Sequence, residues 1–309
     1  MAIQRSEWQF HFIFAVSPGR HPSATSVDGC TQPLRMCRLY GFRSSAHESV
    51  HAPLVAERNS LRRQSIEHPD GWGIAAYVKG TLPEVAHGLG PAHLDPEFER
   101  VSGLLQARAV LAHVRLASVG EIDAKNAHPF VFGRWTFCHN GTINGYEIAR
   151  PRLEQQIAPK FRKRLRGTTD SERCFGMFLT RLFSKVKEDA PAPVELVAWA
   201  LADTMHSVAQ IADKPGETPS AMNFVASDGE LLVATRRGRT LWMSTEVDGG
   251  QPLKGWPTAA QRLHAFQVAS EQLGGPDAWL EVPSEGVVGV DSAVRFFAAT
   301  VPALLETLS

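Results

Sequence analysis

The chemistry open to this chain begins at Cys37, a thiol directly after Met36 that opens a short strand-like run through Phe42. An unperturbed thiol ionises near pH 8.5, roughly, so at neutral pH it is an effective nucleophile only with a base in reach. A free cysteine is also commonly a small, buried apolar residue on a strand. Asn140-Gly141 offers a second element, because a side-chain amide beside a backbone N–H is a suitable donor pair for the oxyanion of acyl transfer. The same dipeptide makes an ordinary turn at a strand end. Arg115 and Asp170 carry charges suited to the two ends of a free amino acid: a guanidinium matches an α-carboxylate bidentately, and a carboxylate answers an α-ammonium. The plain alternatives are a surface strand end for Arg115 and a helix N-cap for Asp170.

These residues need elements to hold them. Short apolar runs at 73–78, 110–116 and 131–138, bounded by Gly, Pro or charge, predict strands that deliver Arg115 and Asn140 at their ends. Thr168-Thr169-Asp170 has N-cap chemistry and predicts a helix after it, with Cys174, Phe175, Phe178, Leu179, Leu182 and Phe183 on one face. A second helix is expected from Glu195 to about Asp213. Strands resume at 222–226, turn at Asp228-Gly229 into 230–235, and follow at 241–244, 266–270 and 286–290. Strands, two helices and strands again give an α+β order in which two sheets can pack on each other and carry helices outside. Residues 1–35, broken by Pro18-Gly19, His21-Pro22-Ser23 and Gln32-Pro33, read as a tail.

Composition narrows the ligand. With 309 residues, 43% hydrophobic, the chain can build a sizeable core, and Lys+Arg and Asp+Glu both total 32. No net field draws nucleic acid or an anionic membrane, and no apolar stretch approaches the roughly 18 to 20 residues that span a bilayer. Four irregularly spaced cysteines do not make a disulfide framework, which favours the cytoplasm. His113, His128 and His139 with Cys138 invite a metal, but neighbours on a strand point to opposite faces and no usual zinc spacing can be assembled. No metal or cofactor is expected, and no nucleotide-type glycine loop is present.

Five motifs occur in order: Met36-Cys37-Arg38-Leu39, His68-Pro69-Asp70-Gly71-Trp72-Gly73, Ala112-His113-Val114-Arg115-Leu116, Cys138-His139-Asn140-Gly141 and Gly167-Thr168-Thr169-Asp170-Ser171-Glu172. In this order the chain resembles the glutaminase domain of class II glutamine amidotransferases, in particular the small single-domain bacterial branch. The likeness runs from Met36 to about Arg295 and includes Val268-Ala269-Ser270-Glu271 and Trp279. It implies a four-layer αββα sandwich of the N-terminal-nucleophile hydrolase type over 37–309, with 1–36 an extension absent from or removed in the mature protein. It also implies that Cys37 attacks the glutamine side-chain amide, with its own α-amine as base. Asn140 and Gly141 would hold the oxyanion, while Arg115 and Asp170 would bind the amino-acid end. His113 and Trp72 join the substrate-binding set, Trp72 as an apolar wall near the thiol.

The resemblance leaves the partner open. Ammonia would pass to a separate synthase, if there is an acceptor. The same clamp suits another γ-glutamyl amide, and an uncleaved extension would leave a silent glutamine-binding regulatory subunit. An α-amine at Cys37 requires it to be the first residue, so Edman sequencing and intact mass of the natural protein are expected to read Cys37 first. Full glutaminase activity from a chain beginning at Met1 would overturn that mechanism.

Overall fold

The computed structural model describes residues 37–117 and 120–308, and the expected extension 1–36 lies outside them. Beta-rich segments open the chain: β1 (Arg38–Ser49), β2 (Trp72–Tyr77), β3 (Glu84–Gly88) and β4 (Gln106–Val114), with the short helices α1 (Leu61–Gln64) and α2 (Pro96–Leu104) between them. Next come β5 (Phe130–Phe132), β6 (Trp135–Thr142) and the helices α3 (Tyr146–Gln155), α4 (Pro159–Arg162), α5 (Asp170–Lys185) and α6 (Val194–Ala212). The chain then runs through β7 (Ala221–Ser227), β8 (Leu232–Thr235), β9 (Trp242–Val247), β10 (Gln251–Pro252), β11 (Ala265–Ala269), β12 (Leu280–Glu281), β13 (Gly286–Val290), β14 (Phe296–Thr300) and α7 (Val301–Leu308).

One sheet has the order β10-β9-β11-β1-β4-β2-β3, with β12 also on β9; the other is β14-β13-β8-β7-β6-β5. Alternation along β1 explains how they stack. Leu39 faces Leu111, Val225 and Leu232 in a core between the sheets, while Tyr40 and Phe42 face a second core closed by Leu54, Leu61 and Phe98. A third core lies between the six-stranded sheet and the helices, where Phe137 and Phe224 meet Phe175, Phe178, Leu201 and Met205. The result is helices, sheet, sheet, helices, the expected αββα sandwich.

Several expectations need correction. The run 131–138 is a hairpin and not one strand, because Gly133 turns at φ 56° and splits it into β5 and β6. The segment after Arg295, past the end of the family likeness and without a predicted element, supplies the edge strand β14 and the helix α7 packed on α6. Helix α5 begins as expected, but its N-cap is Thr169, whose Oγ1 accepts from Glu172 N–H at 3.3 Å, and Asp170 is its first helical residue.

Phe137 couples β6 to α5, with ring centroids 5.3 Å from Phe175 and 6.1 Å from Phe178. Phe137→Ala should therefore cost about 3 to 5 kcal/mol in urea denaturation. A loss under about 1 kcal/mol would show that the site collapses around the gap or that these stacks carry little stability.

Candidate active site

Cys37 immediately precedes β1, half-buried. Its Sγ lies 3.3 Å from both the N–H and the carbonyl oxygen of Leu116, just beyond the end of β4. Desolvation pushes the thiol up to about 11, against the pull of the Leu116 backbone and the Arg115 guanidinium, and Asp170 adds to the rise. A thiol raised in this way is little ionised at neutral pH, so the group needs a base to act.

Arg115 is buried where the β2 and β4 ladder ends. Its N–H donates to Gly71 at 2.8 Å, and its carbonyl accepts from Asp70 N–H at 3.0 Å. Its guanidinium donates to the carbonyls of Glu121 and Gly120 at 3.0 and 3.2 Å. Asn126 extends this brace: it donates to Glu121 O at 3.0 Å and accepts from Thr168 N–H at 2.9 Å, tying the loop after β4 to the start of α5. Asp170 is equally fixed, because Oδ2 accepts from Ile143 N–H at 2.8 Å and Oδ1 from Ser171 N–H at 2.8 Å. A carboxylate has about four acceptor positions, so these bonds aim it without exhausting it.

Asn140 lies on β6 opposite Asn223 of β7. Its side-chain amide is 2.8 Å from Ser270 Oγ, just past β11 in the other sheet. Gly141 follows where no side chain fits: a Cβ there would stand 1.8 Å from Ala221 O and 2.5 Å from His139 Nε2. That contact requires glycine beside Asn140. His139 faces the helices, its Nε2 3.0 Å from Ala221 O and its Nδ1 2.9 Å from Ser171 Oγ. Burial lowers the pKa of this ring, Nε2–H donates to the carbonyl, and Nδ1 faces the Ser171 hydroxyl, which also lies 3.2 Å from Asp170 Oδ1.

The remaining candidates divide. His113 pairs with Leu39 across β1 and β4 and stacks on His128 with centroids 4.3 Å apart. It lies close enough to Arg115 for that charge, after desolvation, to help lower its pKa to about 3. Trp72 is not an apolar wall near the thiol. Period-two alternation turns it away from the core between the sheets, where its Nε1–H donates to Asp95 Oδ2 at 2.8 Å and its ring meets Phe98 edge-on. The neighbouring Gly73 allows a close approach instead: a Cβ there would meet His128 O at 2.0 Å. Among the described residues, no group of three or more His, Cys, Asp or Glu side chains is arranged to hold a metal ion.

The start of β1 thus meets the end of β4 at the thiol, the start of α5 brings the Asp170 charge to it, and the end of β6 is tied to the same strand start through Ser270 and Leu39. A family model described as "Glutamine amidotransferases class-II" matches residues 36–247. The chain belongs to the class II glutamine amidotransferases. It is 26% identical over 219 residues to the Saccharomyces cerevisiae protein named "Probable glutamine amidotransferase DUG3", covering 66% of this chain and 60% of that relative. It is 24% identical over 265 residues to the gamma-glutamyl-hercynylcysteine sulfoxide hydrolase of Mycobacterium tuberculosis, covering 82% of this chain and 93% of that one. Among solved structures, a glutamine aminotransferase class-II domain protein from Silicibacter pomeroyi superposes with TM-score 0.58 at 20% identity, over 86% of this amidotransferase and 99% of that chain. The PRPP amidotransferase of B. subtilis superposes with TM-score 0.57 at 14% identity, over 86% of this chain and 49% of that one. At these identities the superpositions speak for the fold alone.

Buried neutral histidines should make the fold acid-sensitive. His113 is held near 3 against 6.5, and burial also lowers His128 and His139. The unfolded chain takes up protons below about pH 6.5 that the folded chain refuses, so stability is full above that pH and falls as the pH drops towards 3. For His113 the slope builds up below pH 6.5 towards a limit of about 1.4 kcal/mol per pH unit. Urea titrations between pH 7 and pH 5 should show this slope, and His113→Asn should flatten it by about one histidine's share. An unchanged slope in the variant would clear His113.

Proposed function

We propose that this protein hydrolyses the side-chain amide of glutamine through a γ-glutamyl thioester on Cys37, releasing ammonia and glutamate. The observations that support the reading are that Cys37 meets Leu116 beside Arg115, that the charges of Arg115 and Asp170 reach its thiol, and that Asn140 is tied through Ser270 to Leu39 at the start of the same strand. Cys37 is the nucleophile, and its own α-amine, exposed once the residues before it are gone, is the base. An amine with a pKa near 8, roughly, shuttles a proton at neutral pH. Desolvation, which disfavours the thiolate, adds to the need for a base in reach. The Asn140 amide and the Gly141 N–H receive the oxyanion. Water then cleaves the thioester.

Arg115 and Asp170 take the α-carboxylate and the α-ammonium, which selects a free amino acid over a peptide-bound amide. His113, stacked on His128, is a neutral wall of the same pocket. The ammonia acceptor, where there is one, is a separate synthase. No helix among the described residues is long and apolar enough to cross a membrane, which suits a cytoplasmic enzyme.

A second reading, a larger γ-glutamyl amide as substrate, is favoured by a specific cavity. About 1260 Å³ in volume, it is lined by Arg38 and Glu271, which neighbour Cys37 and Ser270 in sequence, and by Arg62, His68 and Leu273. That exceeds the roughly 300 to 1,000 Å³ usual for a drug-sized ligand. The hydrolase name of the mycobacterial relative, matched along 93% of its length, supports the same substrate class.

One panel tests both. Free glutamine, a γ-glutamyl amide of a bulky amine and glutamine blocked at both α-groups are assayed with the chain beginning at Cys37. Cys37→Ala should abolish turnover with the fold intact. Arg115→Ala and Asp170→Ala should each lose about 2 to 4 kcal/mol, thirtyfold to a thousandfold in kcat/KM, with Arg115→Lys also damaged. The bulky amide outpacing glutamine selects the second reading. Equal rates on free and blocked glutamine, with both clamp variants normal, would refute the clamp.

A further inference from the structure

Resting on that reading of Asn140 as an oxyanion donor, the pairing of Ser270 bears directly on which end of the amide faces the substrate. Ser270 is 1% exposed. Its Oγ accepts from Leu39 N–H at 3.0 Å, and the near end of the Asn140 amide lies 2.8 Å away. Leu39 is two residues beyond Cys37 on the same face of β1, so this hydroxyl sits between the nucleophile's strand and the donor's strand. With Nδ2 as the near end, Ser270 Oγ receives two donors, its own proton finds no acceptor among the described residues, and Asn140 Oδ1 is left buried without a partner. A buried acceptor left in that state carries its full desolvation penalty with nothing to offset it. The two ends of a primary amide have the same shape, and only their partners tell them apart.

We propose that Ser270 is the positioning residue of the oxyanion site: its hydroxyl donates to Asn140 Oδ1 and thereby turns Nδ2, the end that can donate, towards the reacting carbonyl. Every group is then used. Leu39 N–H donates to Ser270 Oγ, the Ser270 proton goes to Oδ1, and the Asn140 N–H groups are reserved for the oxygen that becomes negative. The opposite orientation would aim a carbonyl oxygen at a developing oxyanion and oppose catalysis. Ser270 touches neither substrate nor thiol in this arrangement and acts only through Asn140.

The test compares Ser270→Ala, Ser270→Thr, Asn140→Ala and the Ser270→Ala/Asn140→Ala pair in the chain beginning at Cys37. Glutaminase kcat and KM are read together with the rate at which iodoacetamide alkylates Cys37. Alkylation builds no oxyanion, so it reports the thiol alone. Removing one oxyanion donor typically costs on the order of a hundredfold to a thousandfold in kcat. Ser270→Ala, which releases that donor without deleting it, should lower kcat at least about tenfold on that scale. KM and the alkylation rate should stay within about twofold, and Ser270→Thr should restore most of the loss. On the Asn140→Ala background, Ser270→Ala should change nothing further. Ser270→Cys, which keeps the volume with a weak donor, should give the same split and stands in if the alanine variant is too unstable to assay.

Normal turnover in Ser270→Ala beside a crippled Asn140→Ala would overturn the role of Ser270 alone. So would losses that multiply independently, or alkylation that slows in step with kcat. Asn140→Ala at the normal rate would remove the oxyanion reading itself, and the role of Ser270 with it.

Discussion

The contact between Asn140 and Ser270, 2.8 Å long, crosses from one sheet to the other, and the rest of the site is built around that crossing. Cys37 leads into a strand of the eight-stranded sheet, whereas Asn140 belongs to the six-stranded one. Apolar packing between sheets is non-directional, so Leu39, Leu111, Val225 and Leu232 press the layers together without choosing a register to a fraction of an ångström. A buried hydrogen bond is directional and does choose. Ser270 is held in turn by its N–H to Leu39 O at 3.1 Å and by its carbonyl, which accepts from Thr240 Oγ1 at 3.0 Å. Position on one sheet is thereby communicated to a side chain on the other.

The polar groups around this crossing follow a common rule: charges are braced by backbone, and imidazoles stay neutral. Asp170 is aimed by two N–H groups, Arg115 donates to two carbonyls, and Glu172 accepts from Arg166 and Gly167 N–H at 2.6 and 2.9 Å. Glu172 also meets Arg173, which returns a bond to Gly167 O at 2.7 Å, so the turn leading into α5 is clamped from both sides. Burial of a charge is tolerated where such partners exist. His113 is buried with its charged form disfavoured, first by desolvation and then by the Arg115 guanidinium.

What the sequence made legible follows from how local each signal is. Helices α5 and α6 were readable because Thr169 caps one, Pro193 precedes the other, and both carry apolar faces. Helix α3 was not readable, since it starts from Gly145 in the left-handed region and contains Pro151. Strand β3 is a half-exposed edge with little apolar pattern. In the site, the five ordered motifs and their likeness to the family singled out Cys37, Arg115, Asn140 and Asp170, because each residue type taken alone also has an ordinary structural use. Trp72 was misjudged by residue type, where alternation from Gly73 would have turned it outward. Ser270 and Asn126 act through contacts 130 and 42 residues away in sequence, and no local pattern announces such a partner.

On the proposed reading, the start of the chain at Cys37 does two things at once, and strand geometry links them. Successive side chains on a strand point to opposite faces, so Cys37 turns towards the core between the sheets, as Leu39 does, while Arg38 turns outward to the cavity it lines. A γ-glutamyl group held by Arg115 and Asp170 presents its carbonyl to the inner face. A leaving amine larger than ammonia must then pass around the beginning of β1 to reach the outer cavity. Any residue peptide-bonded to Cys37 would have its Cα about 3.8 Å away and would add bulk at the beginning of β1. Removing the preceding residues therefore frees the amine that deprotonates the thiol and clears the route for the leaving group. The second effect matters little for ammonia and much for a bulky amine, so the two substrate classes differ in how strictly they demand the same chain start.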